Sequence, residues 1–124
     1  MKPSKNNTAL IIDDESDICF LLTHILEQKN IHTVHAGSLE ETDKILNSTD
    51  NIGYIFLDNN LPDGMGIFYI SKIKSKFPNS RIIMISAHDS NEYKHTAKEN
   101  GADQFIGKPF SKEVILNTLD KYQA

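Results

Sequence analysis

The chain holds one cysteine, no tryptophan and only four prolines in 124 residues. The lone Cys19 excludes an internal disulfide and fits a reducing compartment. Its expected place is that of a small apolar residue at the edge of a core. No apolar run approaches the roughly 20 residues of a membrane-spanning helix. The polar opening from Met1 to Asn7 lacks the apolar stretch of a secretory signal. Basic charge is also scarce: 13 Lys and Arg against 17 Asp and Glu leave a net charge of −4. That balance speaks against a nucleic-acid surface, which needs a clustered basic face. No repeat, low-complexity segment or Gly/Ser/Pro-rich linker divides the chain. One cytoplasmic domain over residues 1–124 is therefore expected, long enough to bury about two thirds of its unfolded surface.

What is present is a strict alternation of short apolar runs and helical patterns. Residues 8–12 read as a strand, followed by a helix with Ser16 as its cap and Ile18, Leu21, Leu22, Ile25 and Leu26 at helical spacing. HTVHA at 32–36 is a short polar strand. Ser38 and Glu41 form a capping box for a helix carrying Leu39, Thr42, Ile45 and Leu46. The run 52–57 is apolar on both faces, as a central parallel strand covered by helices must be. Beyond the loop 62–66, Ile67, Ile70, Ile73 and Phe77 mark a third helix that Pro78-Asn79 closes. A doubly buried strand at 81–86 and a polar helix over about 90–100 follow, ended by the Asn100-Gly101 C-cap signal. A short strand at 103–106 and a helix from Ser111 to about Tyr122 complete five βα units. Such a chain builds an α/β fold, a doubly wound five-stranded parallel sheet with right-handed crossovers. The polar runs 32–36 and 103–106 suit its edges.

Four of the apolar runs end in residues that can do chemistry: Asp13-Asp14, Asp58, Ser86 and Lys108. In a parallel sheet they emerge along the one edge where open α/β sheets bind ligands. Three carboxylates in one site repel one another unless a cation intervenes. Mg²⁺ suits them, as a hard ion that takes oxygen ligands and keeps several waters. Three aspartates against one divalent cation and one lysine leave the site neutral. A carboxylate so screened can attack phosphorus. The aspartyl phosphate formed adds about −1.5 to −2 charge, which a lysine and the Ser86 hydroxyl are placed to bind. Taken singly, the acids could be helix caps, Ser86 a strand end, and Lys108 the partner of a surface acid. The coincidence of all four strand ends favours the common site.

The motifs IIDDE at 11–15, LDNNLPDGMG at 57–66, ISA at 85–87 and GADQFIGKPF at 101–110 resemble, in order and spacing, the receiver domain of two-component response regulators. The resemblance covers essentially the whole chain and is closest to the single-domain chemotaxis-regulator type. It implies a flavodoxin-like (βα)5 fold with strand order 2-1-3-4-5 and phosphorylation at Asp58. It also implies Mg²⁺, with Mn²⁺ as a substitute, held by Asp14, by Asp13 largely through water, by Asp58 and by the backbone carbonyl of Asn60. Ser86 and Lys108 match the hydroxyl and lysine that hold the phosphoryl group, and the Lys108–Pro109 bond is expected to be cis. The likeness further implies a switch in which Ser86 moves toward the phosphoryl oxygen and Phe105 rotates behind it. The surface of the fourth helix, fifth strand and fifth helix would then change. Asn60 and His88 match the rim positions that tune phosphoryl lifetime.

The implied partners are a sensor histidine kinase or phosphotransfer protein upstream and a protein target or output domain downstream. No direct contact with nucleic acid or membrane is expected, and the domain would be a monomer or a phosphorylation-dependent homodimer. It would be a signalling switch rather than an enzyme, catalysing only its own phosphorylation and dephosphorylation. Two departures from the family pattern stand out. Phe105 has no phenolic hydroxyl, so packing must set its position, and Asn59 is polar where an apolar residue is common. Two other classes compete with this reading. A metal-dependent aspartyl phosphatase would resemble a pattern with a second acid two residues after the nucleophile, where this chain has Asn60. A degenerate receiver would lack Asp58, Asp14 or Lys108. His32 and His35, three apart in a strand, face opposite ways and suit no shared metal. Lys72, Lys74 and Lys76 fan around their helix as a solvated face.

Overall fold

Apolar alternation along the first strand sets the architecture. In a computed structural model of the protein, which describes residues 7–122, β1 (Thr8–Ile12) turns Leu10 and Ile12 into one core and Ala9 and Ile11 into the other. Residues 1–6 and 123–124 of the expected 1–124 span, with most of the polar opening, lie outside the described residues. The strands β2 (His32–Ala36), β3 (Tyr54–Asp58), β4 (Arg81–Ser86) and β5 (Gln104–Gly107) complete one parallel sheet in the order β2-β1-β3-β4-β5. The expected doubly wound sheet is therefore present. The edge strands β2 and β5 are the half-exposed ones, whereas β3 is buried throughout.

Five helices cover the two faces. On one side α1 (Ser16–Glu27) and α5 (Lys112–Tyr122) pack Leu22, Ile25, Leu26, Ile115 and Leu119 against Ile11, Phe56, Ile83 and Ile85. On the other, α2 (Leu39–Ser48), α3 (Ile70–Lys76) and α4 (Asn91–Asn100) cover Leu10, Ile12, Leu57 and Met84. A single 3₁₀ turn, Gly66–Tyr69, leads into α3 and buries Ile67. The third helical pattern thus begins as 3₁₀ and becomes α only at Ile70.

Local signals hold in part. The Ser38 hydroxyl caps α2 by accepting from the Glu41 N–H, while the Glu41 carboxylate accepts from Gly37 N–H at 2.6 Å rather than from Ser38. Asp63, 24 residues along the chain, adds both its carboxylate oxygens to the same helix start, on Leu39 and Glu40 N–H. Gly101 ends α4 in the left-handed conformation (φ 117°), as the Asn-Gly signal foretells. The expected cap at Ser16 does not form. Ser16 is the first helical residue, and Glu15 occupies the cap position without capping through its side chain. Asp13 organises that turn instead, its carboxylate accepting from Glu15 N–H at 2.8 Å.

Candidate functional site

Three strand ends converge at one corner of the sheet. Asp13 directly follows β1, and its N–H still bonds to Ala36 O as the ladder runs out. Asp58 is the last residue of β3, in register with Ile85 of β4. Ser86 ends β4, in register with Gly107, and its carbonyl accepts from Lys108 N–H at 2.9 Å. The parallel register brings residues far apart in the chain side by side. Asp13, Asp58 and Ser86 are buried, while Asp14 is exposed at the mouth.

Carboxylate oxygens of Asp13, Asp14 and Asp58 all lie within 4.8 Å of one another. Among the described residues this is the one group of His, Cys, Asp and Glu side chains arranged to hold a metal ion. The Lys108 Nζ stands 3.2 Å from Asp13, 3.3 Å from Asp58 and 2.7 Å from Glu15. The Lys108–Pro109 peptide bond is cis, as expected. Local pattern gives Glu15 only the role of a favourable charge at a helix start. In the structure it is the nearest partner of Lys108, a pairing across 93 residues that sequence spacing cannot reveal.

The electrostatics of the corner are unbalanced. Burial, reinforced by the Asp13 charge, pushes the Asp58 carboxyl up to about 6 against the pull of Lys108. Burial also raises Asp13, although Glu15 N–H and Lys108 oppose it. Burial pulls the Lys108 ammonium down, but the Glu15 hydrogen bond and the charges of Asp13 and Asp58 raise it overall. One ammonium shared among three acids does not neutralise them. A hard divalent cation fits this donor set, since the ligand atoms are oxygens and the missing quantity is positive charge.

Backbone approach shapes the wall behind Asp58. A Cβ on Gly66 would lie 2.2 Å from the Asp58 carbonyl oxygen, so only glycine fits there. Gly66 N–H also donates to Asn59 O at 2.8 Å, folding the loop back on itself. Asn60 follows on the exposed rim, paired with Met65 in a two-residue antiparallel ladder. The Ser86 hydroxyl accepts from His88 N–H at 3.1 Å, and His88 itself is exposed. Phe105, half-buried on β5, packs against the core face that holds Met84, with Lys94 Nζ 5.9 Å from its ring centre.

Sequence pattern assigns no role to Asn59 and does not single out Tyr93. Asn59 is fully buried beside Asp58. Its side-chain oxygen accepts from Ile67 N–H at 3.1 Å and its amide group donates to the Tyr93 hydroxyl on α4. Cys19 sits 8% exposed at the core edge, its Sγ 2.9 Å from His35 Nε2 and 3.4 Å from Asp13 O. Burial, then the charges of Asp13 and Asp14, push its thiol up to about 11, which makes it an unreactive core residue. His35 also reaches Asp13 O at 2.9 Å, although both it and His32 are largely exposed. Lys72 and Lys74 are less free than a solvated fan implies, pairing with Asp43 at 2.7 Å and Asp103 at 3.1 Å.

A parallel five-stranded sheet with an acid corner and a facing lysine is an α/β site suited to a divalent cation and a phosphoryl group. Residues 9–120 match the family model described as the response regulator receiver domain. The chain is 34% identical over 111 residues to the transcriptional regulatory protein YxdJ of Bacillus subtilis, covering 89% of this chain and 47% of that protein. It is 33% identical over 115 residues to the response regulator protein PilR of Pseudomonas aeruginosa, covering 90% and 26%. The solved beryllofluoride-activated NtrC4 receiver domain dimer superposes with a TM-score of 0.86 at 36% identity, covering 93% of this chain and 94% of that one. The chain belongs to the response regulator receiver domain family, the phosphoacceptor domains of two-component systems. It spans less than half the length of these curated relatives.

Proposed function

We propose that Asp58 accepts a phosphoryl group from a histidine kinase or phosphotransfer protein, and that the resulting charge switches the surface of α4, β5 and α5 toward a protein target or output domain. The observation that supports this is Asp58 at the end of the buried β3, with two acids within 4.8 Å and Lys108 at 3.3 Å. In the transfer an Asp58 carboxylate oxygen forms the new P–O bond as the donor's P–N bond breaks and the imidazole leaves. Asp13, Asp14, Asp58 and the Asn60 carbonyl would hold Mg²⁺, or Mn²⁺ in its place. When bound, the ion supplies the positive charge that lets a carboxylate approach a phosphate.

The chain's own residues do the remainder. Lys108, held by Glu15, Asp13 and Asp58, is poised to exchange carboxylate partners for phosphoryl oxygens. The Ser86 hydroxyl oxygen accepts from His88 N–H, and its own proton would be donated to a phosphoryl oxygen. As Ser86 turns to the phosphoryl group, Phe105 changes its packing against the Met84 face. Lacking a hydroxyl, it does so without gaining or losing a hydrogen bond. Asn60 and His88 line the rim through which water reaches the phosphorus and so set the lifetime of the aspartyl phosphate.

On this reading the domain is a switch and not an enzyme acting on other substrates. It works in the cytoplasm without direct contact to nucleic acid or membrane, as a monomer that phosphorylation can pair. Among the described residues no helix is long and apolar enough to cross a membrane. Intact-mass measurement after incubation with acetyl phosphate tests the reading. One phosphoryl group is expected on the wild type with Mg²⁺, none with EDTA and none on Asp58→Asn. An Asp58→Asn protein that is stably labelled to the same extent refutes the acceptor assignment. A wild type that never labels marks the domain as a receiver that has lost its phosphorylation.

A further inference from the structure

We propose that Tyr93 is a positioning residue that couples α4 to the phosphoacceptor turn and thereby lets the state of α4 set the lifetime of the phosphoryl group. The inference rests on the assignment of Asp58 above, and its geometry is independent of it. Ile67 N–H can only donate, so the Asn59 atom facing it is the side-chain oxygen. The amide nitrogen of Asn59 is thereby aimed at Tyr93, whose hydroxyl oxygen accepts. The Tyr93 ring meanwhile lies against His88, with ring centres 5.3 Å apart and planes inclined by 43°. One side chain of α4 therefore holds the residue directly after Asp58 and the residue two beyond Ser86.

The rest of α4 makes this contact consequential. Ala97 is its only fully buried residue and the half-buried Tyr93 ring packs on the core beside it, so less apolar area fixes this helix than α1. Its far end is tied by Asn100, whose amide donates to Ile67 O at 3.0 Å. Both tethers converge on the Asn59–Ile67 segment that follows the phosphoacceptor. A helix held by a few directional bonds shifts as a unit when one is lost, and His88 shifts with it. With Tyr93 in place, the His88 ring stays packed at the rim and limits the approach of water to phosphorus. A partner that grips α4 in its tethered position therefore lengthens the phosphoryl lifetime.

The test uses Tyr93→Phe, which deletes the hydroxyl and keeps the ring, and Tyr93→Leu, which deletes both contacts. In the unphosphorylated protein, amide exchange over residues 91–95 of Tyr93→Phe is expected to rise about fivefold, the loss of one net hydrogen bond, with β3 and α1 unchanged. After labelling with acetyl phosphate and Mg²⁺, loss of phosphate is expected to be faster in Tyr93→Phe and faster again in Tyr93→Leu. Unchanged α4 exchange in both variants overturns the tether. Changed exchange with identical phosphate decay in all three proteins overturns the coupling to lifetime. Failure of the wild type itself to label overturns the assignment of Asp58 and with it the lifetime claim, while the exchange result still decides the tether.

Discussion

Two helices of similar length flank the acid corner and are held in opposite ways. The 12 residues of α1 bury Cys19, Leu22, Ile25 and Leu26. The 10 residues of α4 bury Ala97 alone and rely on Tyr93, Asn100 and the Ser90 cap for fixed contacts. A fully buried aliphatic side chain contributes about 1.5–3 kcal/mol, whereas a net hydrogen bond contributes about 1 kcal/mol. Apolar burial is also non-directional and survives small shifts, while a hydrogen bond does not. α1 is therefore the fixed wall of the corner and α4 the element with the smaller opening free energy. On the proposed function, a charge that appears at Asp58 meets a rigid side and a yielding one, and the response is expected on the yielding side.

Substitutions can break or sharpen this contrast. The largest effect is expected from Leu26→Ala in α1, a side chain fully buried among Ile11, Phe56 and Leu119, at about 2–5 kcal/mol of stability by chemical denaturation. A cost near zero would remove the distinction between the two helices. Next is the pH dependence of the metal-free protein. Asp58 is raised from 3.8 to about 6 by folding, so between those values the folded state binds more protons than the unfolded one. The Asp58 contribution to stability is then largest at the acid end of that window and is lost as pH rises through it, by roughly 2–3 kcal/mol. Asp58→Asn should flatten this slope and leave the metal-free protein more stable at neutral pH. An identical slope in the wild type and Asp58→Asn in EDTA contradicts the charge imbalance at the corner.

Smaller effects belong to the yielding side and the surface. Ser90→Ala removes the cap of α4, where the Ser90 hydroxyl accepts from Tyr93 N–H at 3.2 Å, and should cost about 1 kcal/mol. Hydrogen exchange should place that loss in α4 and not in α1. Lys29→Ala breaks the pairing of the α1 end with Asp120 of α5 at 3.2 Å. Both partners are substantially exposed, so the expected change is at most about 0.5 kcal/mol. A larger loss would mean that α1 depends on surface charge as well as on its buried face.

Legibility in the sequence divides local pattern from long-range contact. The βα alternation, the buried β3 and the acids at the strand ends follow from local periodicity and composition, and the structure has them within a residue or two. The edge position of β2 and β5 follows from their polarity. What local pattern cannot show depends on tertiary register. Glu15 meets Lys108 only because β1 and β5 both end at the same corner. Asn59 is understood only once Tyr93, 34 residues later, is seen above it. Asp63 reaches the start of α2 from the loop after β3 and completes a cap that local pattern assigns to Ser38 and Glu41 alone. Ser16 is not the cap its residue type suggests, because a nearby carboxylate, Asp13, competes for the same turn. On both sides of the corner, what sequence does not show is thus the long-range polar contact, at Glu15 and Lys108 beside α1 and at Asn59 and Tyr93 beside α4.

The central claim is that charge placed on Asp58 is read out at α4 and not at α1. Amide hydrogen exchange of the wild type, compared with and without acetyl phosphate in the presence of Mg²⁺, measures this directly. Changed protection across residues 91–100 with unchanged protection across residues 16–27 is the predicted result. Equal changes in both helices, or a change confined to α1, would contradict it.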